Sequence, residues 1–285
     1  MTLPPAVTEF MEIQGWGAVR GLSTLGGGCI SHAVRLETQH GPPVLVKHNP
    51  DAPSDLFRCE AEGLAALRTA SGGPRVPNVL GVGQGWIVLE FIQSAPAREG
   101  FSALLAEQLA SLHGRTSPTF GFNSDNYLGS TPQCNPLTAD GFQFFTDYRL
   151  LPLGRQASAQ GLISADDMQG IESVCHRLPD LVPSQPASLI HGDLWAGNLI
   201  TGPQGEPVLI DPAAHYGWAE AELGMMHLFG GFEPQVFEDY AARRGLVPGW
   251  RDRLDLYNLY HLLNHALLFG AGYVAQFRRA LARYR

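Results

Sequence analysis

A chain of 285 residues, 45% of them hydrophobic, can bury a full core, and its length suits one large domain or two lobes around a cleft. Its formal charge of −8, from 27 acidic and 19 basic residues with no long Lys/Arg run, excludes tracking of a phosphate backbone and with it nucleic acid as a partner. No apolar run of about 18 residues occurs, and the first residues lack the basic start and continuous apolar segment of a secretory leader, so a soluble, cytoplasmic protein with no membrane partner is expected.

The first third reads as strands with one helix among them. Leu25 to Ile30 is glycine-rich and leads into Ala33 to Glu37, which alternates apolar and charged residues as a half-buried strand does. Gly26, Gly27 and Gly28 can bring backbone N–H groups close to phosphates, because no Cβ obstructs the approach. A glycine run in a hairpin turn is the competing reading, and no Gly-x-x-x-x-Gly-Lys-Ser is present to indicate a P-loop. A second strand follows at Val44 to Lys47. Leu56, Leu64 and Leu67 fit an amphipathic helix between Asp55 and Arg68, ended by Ser71-Gly72-Gly73-Pro74. Val79 to Val82 and Trp86 to Phe91 complete the strands. Glu90, Phe91 and Ile92 stand where a hinge would offer backbone groups to an adenine edge.

Helical patterns dominate thereafter: Phe101 to His113, Phe142 to Leu153, Asp166 to Leu178, Pro234 to Arg244 and Arg251 to Phe269. Between Leu189 and Ile210 two short apolar runs, Leu199-Ile200 and Val208 to Ile210, suit a hairpin flanking a loop. The four cysteines, Cys29, Cys59, Cys134 and Cys175, form no Cys-x-x-Cys pair and read as reduced structural thiols. Cys29 lies within the glycine-rich loop, where a small buried residue is the better reading than a redox-sensitive thiol.

Phosphoryl transfer needs a carboxylate at the acceptor hydroxyl, oxygen ligands for Mg²⁺ and a cation on the nucleotide phosphates. His191-Gly192-Asp193-Leu194-Trp195-Ala196-Gly197-Asn198 places a carboxylate and a carboxamide five positions apart, and Asp211 follows the strand ending at Ile210. A bare His-Gly-Asp is more often a turn than a site. The joint spacing is far more specific and matches the pattern in which Asp193 takes the hydroxyl proton while Asn198 and Asp211 hold the metal. Lys47 closes a β-branched strand, as the phosphate-pairing lysine of kinases does. Its expected partner is a helix glutamate, Glu60 in preference to Glu62, because Leu64 and Leu67 then follow at the offsets that pack the helix on the sheet. These parts imply ATP and Mg²⁺ as cofactors.

At this point the chain resembles the fructosamine kinase (ketosamine-3-kinase) family, a branch of the aminoglycoside phosphotransferase and protein-kinase-like superfamily. The resemblance is carried by Gly27 to His32, Phe120-Gly121-Phe122 with Asn126 to Gln133, His191 to Asn198, Leu228 to Phe232, and the Leu256 to His265 segment. It implies an α+β, two-lobed protein-kinase-like fold, with a small lobe of residues 1–92 holding an antiparallel sheet plus one helix and a mainly helical lobe of residues 93–285. It also implies transfer from ATP to the C3 hydroxyl of a small-molecule or protein-attached ketosamine, whose 3-phosphate then leaves, so that the amine is freed and glycation repaired. Trp195 is implied as a wall of the sugar pocket, its indole packing on the C–H side of the ring. Glu220 stands at a position that the family tends to keep acidic, and reads either as the receptor of the ketosamine amine or as a helix-start charge. Glu222 replaces the Asp usual in the motif after the metal-binding Asp, and its longer side chain still reaches the catalytic loop. Transfer to an aminoglycoside, choline or another small alcohol, and a non-catalytic pseudokinase, are the alternatives. Trp195 and the Asn126 to Gln133 segment disfavour the first, and the competent residue at every catalytic position disfavours the second.

Overall fold

The computed structural model describes residues 3–26 and 32–285. Gly27, Gly28 and Cys29, singled out above, lie outside the described residues.

The chain opens with helix α1 (Pro5–Ile13), started by a proline whose fixed φ suits a first helical position. Strands β1 (Val19–Leu25), β2 (His32–Thr38) and β3 (Val44–His48) follow, then helix α2 (Leu56–Arg68) and strands β4 (Val79–Gly83) and β5 (Trp86–Glu90). The five strands form one antiparallel sheet in the order β1-β2-β3-β5-β4. Side-chain alternation sorts its two faces. Val34, Leu36, Val44, Val46 and Val88 pack with Val7 and Met11 of α1. Leu45, Ile87 and Leu89 pack on the opposite face with Phe57, Leu64 and Leu67 of α2. Lys47 lies two residues beyond Leu45, so the same alternation turns its side chain toward α2.

The α+β expectation therefore holds, with two additions. β1 was not expected because six of its seven residues are exposed and carry no burial alternation. α1 covers the sheet face opposite α2, so the sheet bears a second helix.

From residue 101 the architecture is mainly helical. α3 (Phe101–His113) precedes the short strands β6 (Thr116–Ser117), β7 (Asn126–Leu128) and β8 (Thr131–Gln133). The expected Phe142 to Leu153 helix is broken into α4 (Gly141–Phe145), a π-turn at Thr146–Leu150 and α5 (Leu151–Ala159). α6 (Ala165–Leu181) begins with a Ser164–Asp167 capping box. Then come β9 (Ala187–Ile190), β10 (Leu199–Thr201), β11 (Pro207–Leu209) and β12 (His215–Gly217), with β10 and β11 forming the expected hairpin. α7 (Ala219–Leu228), α8 (Pro234–Arg244), α9 (Trp250–Phe269) and α10 (Val274–Leu281) complete the chain. α9 is buried along most of its length and carries the second large core with α4, α6 and α10. None of the described helices is long and apolar enough to cross a membrane.

One core joins the two parts. Leu64 and Leu67 of α2 share it with Leu105 and Leu109 of α3, with Leu189, Leu194 and Leu209 around the hairpin, and with Leu223 of α7. The sheet is thereby seated directly over the segment from His191 to Asp211.

Candidate active site

β3 ends by presenting Lys47 to α2, where its Nζ donates to Glu60 Oε1 at 2.7 Å. A second hydrogen bond runs to Asp211 Oδ1, from a residue 164 positions away in sequence. Burial alone would lower the lysine's pKa, but the Asp211 and Glu60 carboxylates outweigh it and hold the ammonium above its ordinary value. Burial pushes the Glu60 carboxyl up, and Lys47 opposes that shift. Glu62 is turned away, accepting from Arg58 Nη1 at 2.6 Å and from Ser124 Oγ at 2.7 Å.

The loop after β9 carries Asp193. Gly192 has φ +82°, and a Cβ there would lie 2.3 Å from the Ala213 carbonyl oxygen, so only glycine fits. His191 Nε2 donates to the Ile210 carbonyl at 2.8 Å and its Nδ1 accepts from the Asp193 amide at 3.3 Å. These two bonds define a neutral tautomer, in keeping with a ring pKa that burial lowers. The loop closes in a single 3₁₀ turn at Ala196–Asn198. Asn198 Nδ2 donates to the Asp193 carbonyl at 2.8 Å and to its Oδ2 at 3.2 Å, which leaves the carboxamide Oδ1 as an acceptor.

Asp211 follows β11 at φ +56°, and it is the only non-glycine residue with positive φ among the described residues. Asp tolerates that region better than most residues, and such strain concentrates at functional sites. Burial, then the charges of Asp211 and Glu222, push the Asp193 carboxyl well above the usual carboxylate range, against the Asn198 hydrogen bond. Lys47, Glu60, Asp193, Asn198 and Asp211 are thus brought to one locus with more negative than positive charge.

The floor of the site is α7. Glu222 accepts from the His191 amide at 2.5 Å and the Gly192 amide at 3.0 Å. Its longer side chain does reach the loop. Burial raises its pKa, but the neighbouring His113 ring, with Nε2 3.5 Å from Oε2, and the hydrogen bond from the His191 amide bring it below the ordinary value. His113 in turn bonds Tyr240 Oη at 2.6 Å through Nδ1. Nothing in the spacing pointed to His113 or Tyr240. The available signal was a histidine closing a helix whose neighbouring positions, Leu105, Leu109 and Leu112, are all core.

Glu220 is a correction. It is 1% exposed and clamped by Arg253, with Nε to Oε2 at 2.7 Å and Nη2 to Oε1 at 2.8 Å, while Tyr257 Oη donates to Oε2 at 3.0 Å. Both carboxylate oxygens are consumed inside the fold, so Glu220 does not face a substrate amine. Glu90 is corrected in part. Its amide donates to the Asn78 carbonyl at 2.8 Å and its carboxylate holds Arg75 and Asn78, so neither serves a nucleotide. The Phe91 and Ile92 amides donate to no main-chain acceptor among the described residues. Gly26 has open space where a Cβ would sit. Trp195 is 38% exposed, and its indole lies over Gly197, where a Cβ would clash with the ring at 2.2 Å.

The chain is similar to known proteins over nearly its whole length. The fructosamine kinase family profile matches residues 8–285. A chloroplastic protein-ribulosamine 3-kinase from Oryza sativa subsp. indica is 38% identical over 265 residues, covering 90% of this chain and 76% of the relative. A crystal structure assigned to a fructosamine-3-kinase of Thermobifida fusca superposes with a TM-score of 0.89 at 33% identity, over 99% of this chain and 100% of that one. A type I macrolide 2′-phosphotransferase shares the fold alone, with a TM-score of 0.64 at 17% identity over 100% and 99% of the two chains. With this match over nearly its whole length, the chain belongs to the fructosamine kinase family of ATP-dependent phosphotransferases.

Proposed function

We propose that the protein phosphorylates the C3 hydroxyl of ketosamines in a cleft between a lobe ending near residue 92 and a lobe from about residue 93 onward. The observation that carries this reading is the convergence of Asp193, Asn198 and Asp211 beside the Lys47–Glu60 pair, with the Asp193 carboxyl pushed up first by burial and then by the neighbouring carboxylates.

Asp193 orients the acceptor hydroxyl and takes its proton as the oxygen bonds to the γ-phosphorus and the bond to the ADP oxygen breaks. A raised carboxyl pKa makes it a stronger base than an exposed aspartate. Lys47 steadies the α- and β-phosphates, and the hinge amides of Phe91 and Ile92 are left for the adenine edge. Asn198 Oδ1 and the Asp211 carboxylate fit Mg²⁺, which neutralises charge on the β- and γ-phosphates when bound. Among the described residues no group of three His, Cys, Asp or Glu could hold a metal unaided, so such an ion depends on the nucleotide for its remaining ligands. Trp195 offers its exposed indole face to the sugar. The free thiols of Cys59, Cys134 and Cys175 suit a reducing compartment such as the cytoplasm.

The test is ATP consumption across fructosyl-, ribulosyl- and erythrulosyl-lysine with kanamycin in parallel, the phosphorylated carbon being located by NMR. Turnover of a ketosamine with phosphate on C3 is expected. Exclusive use of kanamycin would overturn the acceptor, and nucleotide binding without any turnover would favour a pseudokinase.

A further inference from the structure

The segment from Ser124 to Asn135 grips both halves of the site. Toward α2, Tyr127 Oη donates to Asp55 Oδ1 at 2.7 Å, Ser124 Oγ donates to Glu62 Oε2 at 2.7 Å, and Cys59 Sγ donates to the Asp125 carbonyl at 3.3 Å. Toward the chain leaving Asp211, Asn126 Nδ2 donates to the Ala214 carbonyl at 2.9 Å. Gln133 Nε2 donates to Asn126 Oδ1 at 2.7 Å and, at 3.4 Å, to the Ala213 carbonyl. Asn135 Nδ2 also reaches Asn126 Oδ1, at 2.9 Å, and Arg149 Nη2 from the π-turn reaches Asn135 Oδ1 at 2.6 Å. Asn126, Gln133, Asn135 and Arg149 are all 5% exposed or less.

Buried amides joined this way hold one arrangement, because any shift would strand a donor or acceptor away from water. α2 also lies directly on the same chain segment: a Cβ at Gly63 would stand 3.2 Å from Pro212 and 3.4 Å from Ala214. We propose that the β7–β8 hairpin is a positioning clasp, which locks α2 and its Glu60 against residues 211–214 and so fixes the Lys47–Asp211 geometry required for nucleotide binding. The clasp rests on the kinase reading of Lys47, Glu60 and Asp211. It assigns the hairpin to nucleotide positioning and away from recognition of the acceptor.

The test is binding of a fluorescent ATP analogue with and without Mg²⁺, together with fructosyl-lysine kinetics, for the parent, Asn126→Ala and Tyr127→Phe. Asn126→Ala should weaken Mg²⁺-dependent nucleotide binding about tenfold, as loss of a buried hydrogen bond implies, and Tyr127→Phe about threefold. The KM for fructosyl-lysine should stay within about twofold. A raised KM with unchanged nucleotide binding would show that the hairpin reads the acceptor, and two unchanged constants would show it to be inert; either overturns the clasp. Should Asn126→Ala fail to fold by circular dichroism, Tyr127→Phe decides, since it removes one partly exposed tether only. The binding arm needs no acceptor, so a parent that binds nucleotide but ignores fructosyl-lysine sinks the substrate reading and leaves the clasp decidable.

Discussion

At the front of the site Lys47 serves two carboxylates, Glu60 and Asp211, and Asp193 has only the Asn198 carboxamide donating to its side chain among the described residues. At the floor, two residues apart on α7, Glu220 is closed by Arg253 and Tyr257, and Glu222 by two loop amides beside His113. Both regions gather acidic side chains, yet only the floor supplies a donor to each oxygen. Saturated carboxylates shape the fold, whereas the excess negative charge at the front is left for a ligand to balance.

The sharpest break of this comparison removes the charge at the front. Asp193→Asn should keep the fold and lower kcat about 10²- to 10⁴-fold, the usual worth of a general base. Steady-state ATP consumption with fructosyl-lysine reads it, and an unchanged rate removes Asp193 from the chemistry.

At the floor the effect should fall on stability. Arg253→Ala strands the Glu220 carboxylate in the interior and should cost about 3–5 kcal/mol of unfolding free energy, as breaking a buried pair does. Urea unfolding measures the loss. Turnover per folded molecule should persist, and a selective rise in KM for the ketosamine would return Glu220 to the substrate site.

Glu222 belongs to the floor but touches the front, so its effect should be intermediate in kind and smaller in size. Glu222→Asp keeps the charge and shortens the reach to the His191 and Gly192 amides. A fall in kcat of about tenfold at unchanged KM is expected, equivalent to one hydrogen bond to a charged group. Equal activity would mean that the loop holds its shape without this grip.

The front was far more legible in the sequence than the floor. Asp193, Asn198 and Asp211 lie on one loop and hairpin, so chain spacing alone brings them near, and strand alternation sends Lys47 toward the helix bearing Glu60. Glu220 was misread because its partner Arg253 lies 33 residues away on another helix, and no local pattern links the two. The same holds for Tyr240 beneath His113 and for Arg149, which sits in a π-turn within a stretch that reads as one continuous helix. The strands β1, β6 to β9 and β12 and helix α1 were missed because short or exposed elements carry little hydrophobic period, and α7 was missed because burial on most sides leaves it no polar face; α10 was missed as well. Asn126 to Gln133 marked the family in the sequence, but its contacts to α2 and to Ala213 and Ala214 depend on tertiary closure.

The smallest expected effect concerns pH. The Asp193 carboxyl titrates well above its ordinary 3.8 because of burial, then Asp211, then Glu222. The native protein therefore keeps this proton over a range where the unfolded chain has already released it. The native state binding more protons gives a negative slope, so Asp193 makes stability fall as pH rises from 3.8 to the raised value, and the full cost persists above it. Asp193→Asn abolishes that contribution, so the variant should be at least as stable as the parent at neutral pH, and the two should converge toward acid. Thermal midpoints from about pH 4 to about pH 8 read the difference. Mg²⁺ with nucleotide offsets the same repulsion, so it should raise the parent's midpoint more than the variant's. A variant less stable than the parent at neutral pH would mean that Asp193 is as well satisfied as Glu220, and the contrast between front and floor would not stand.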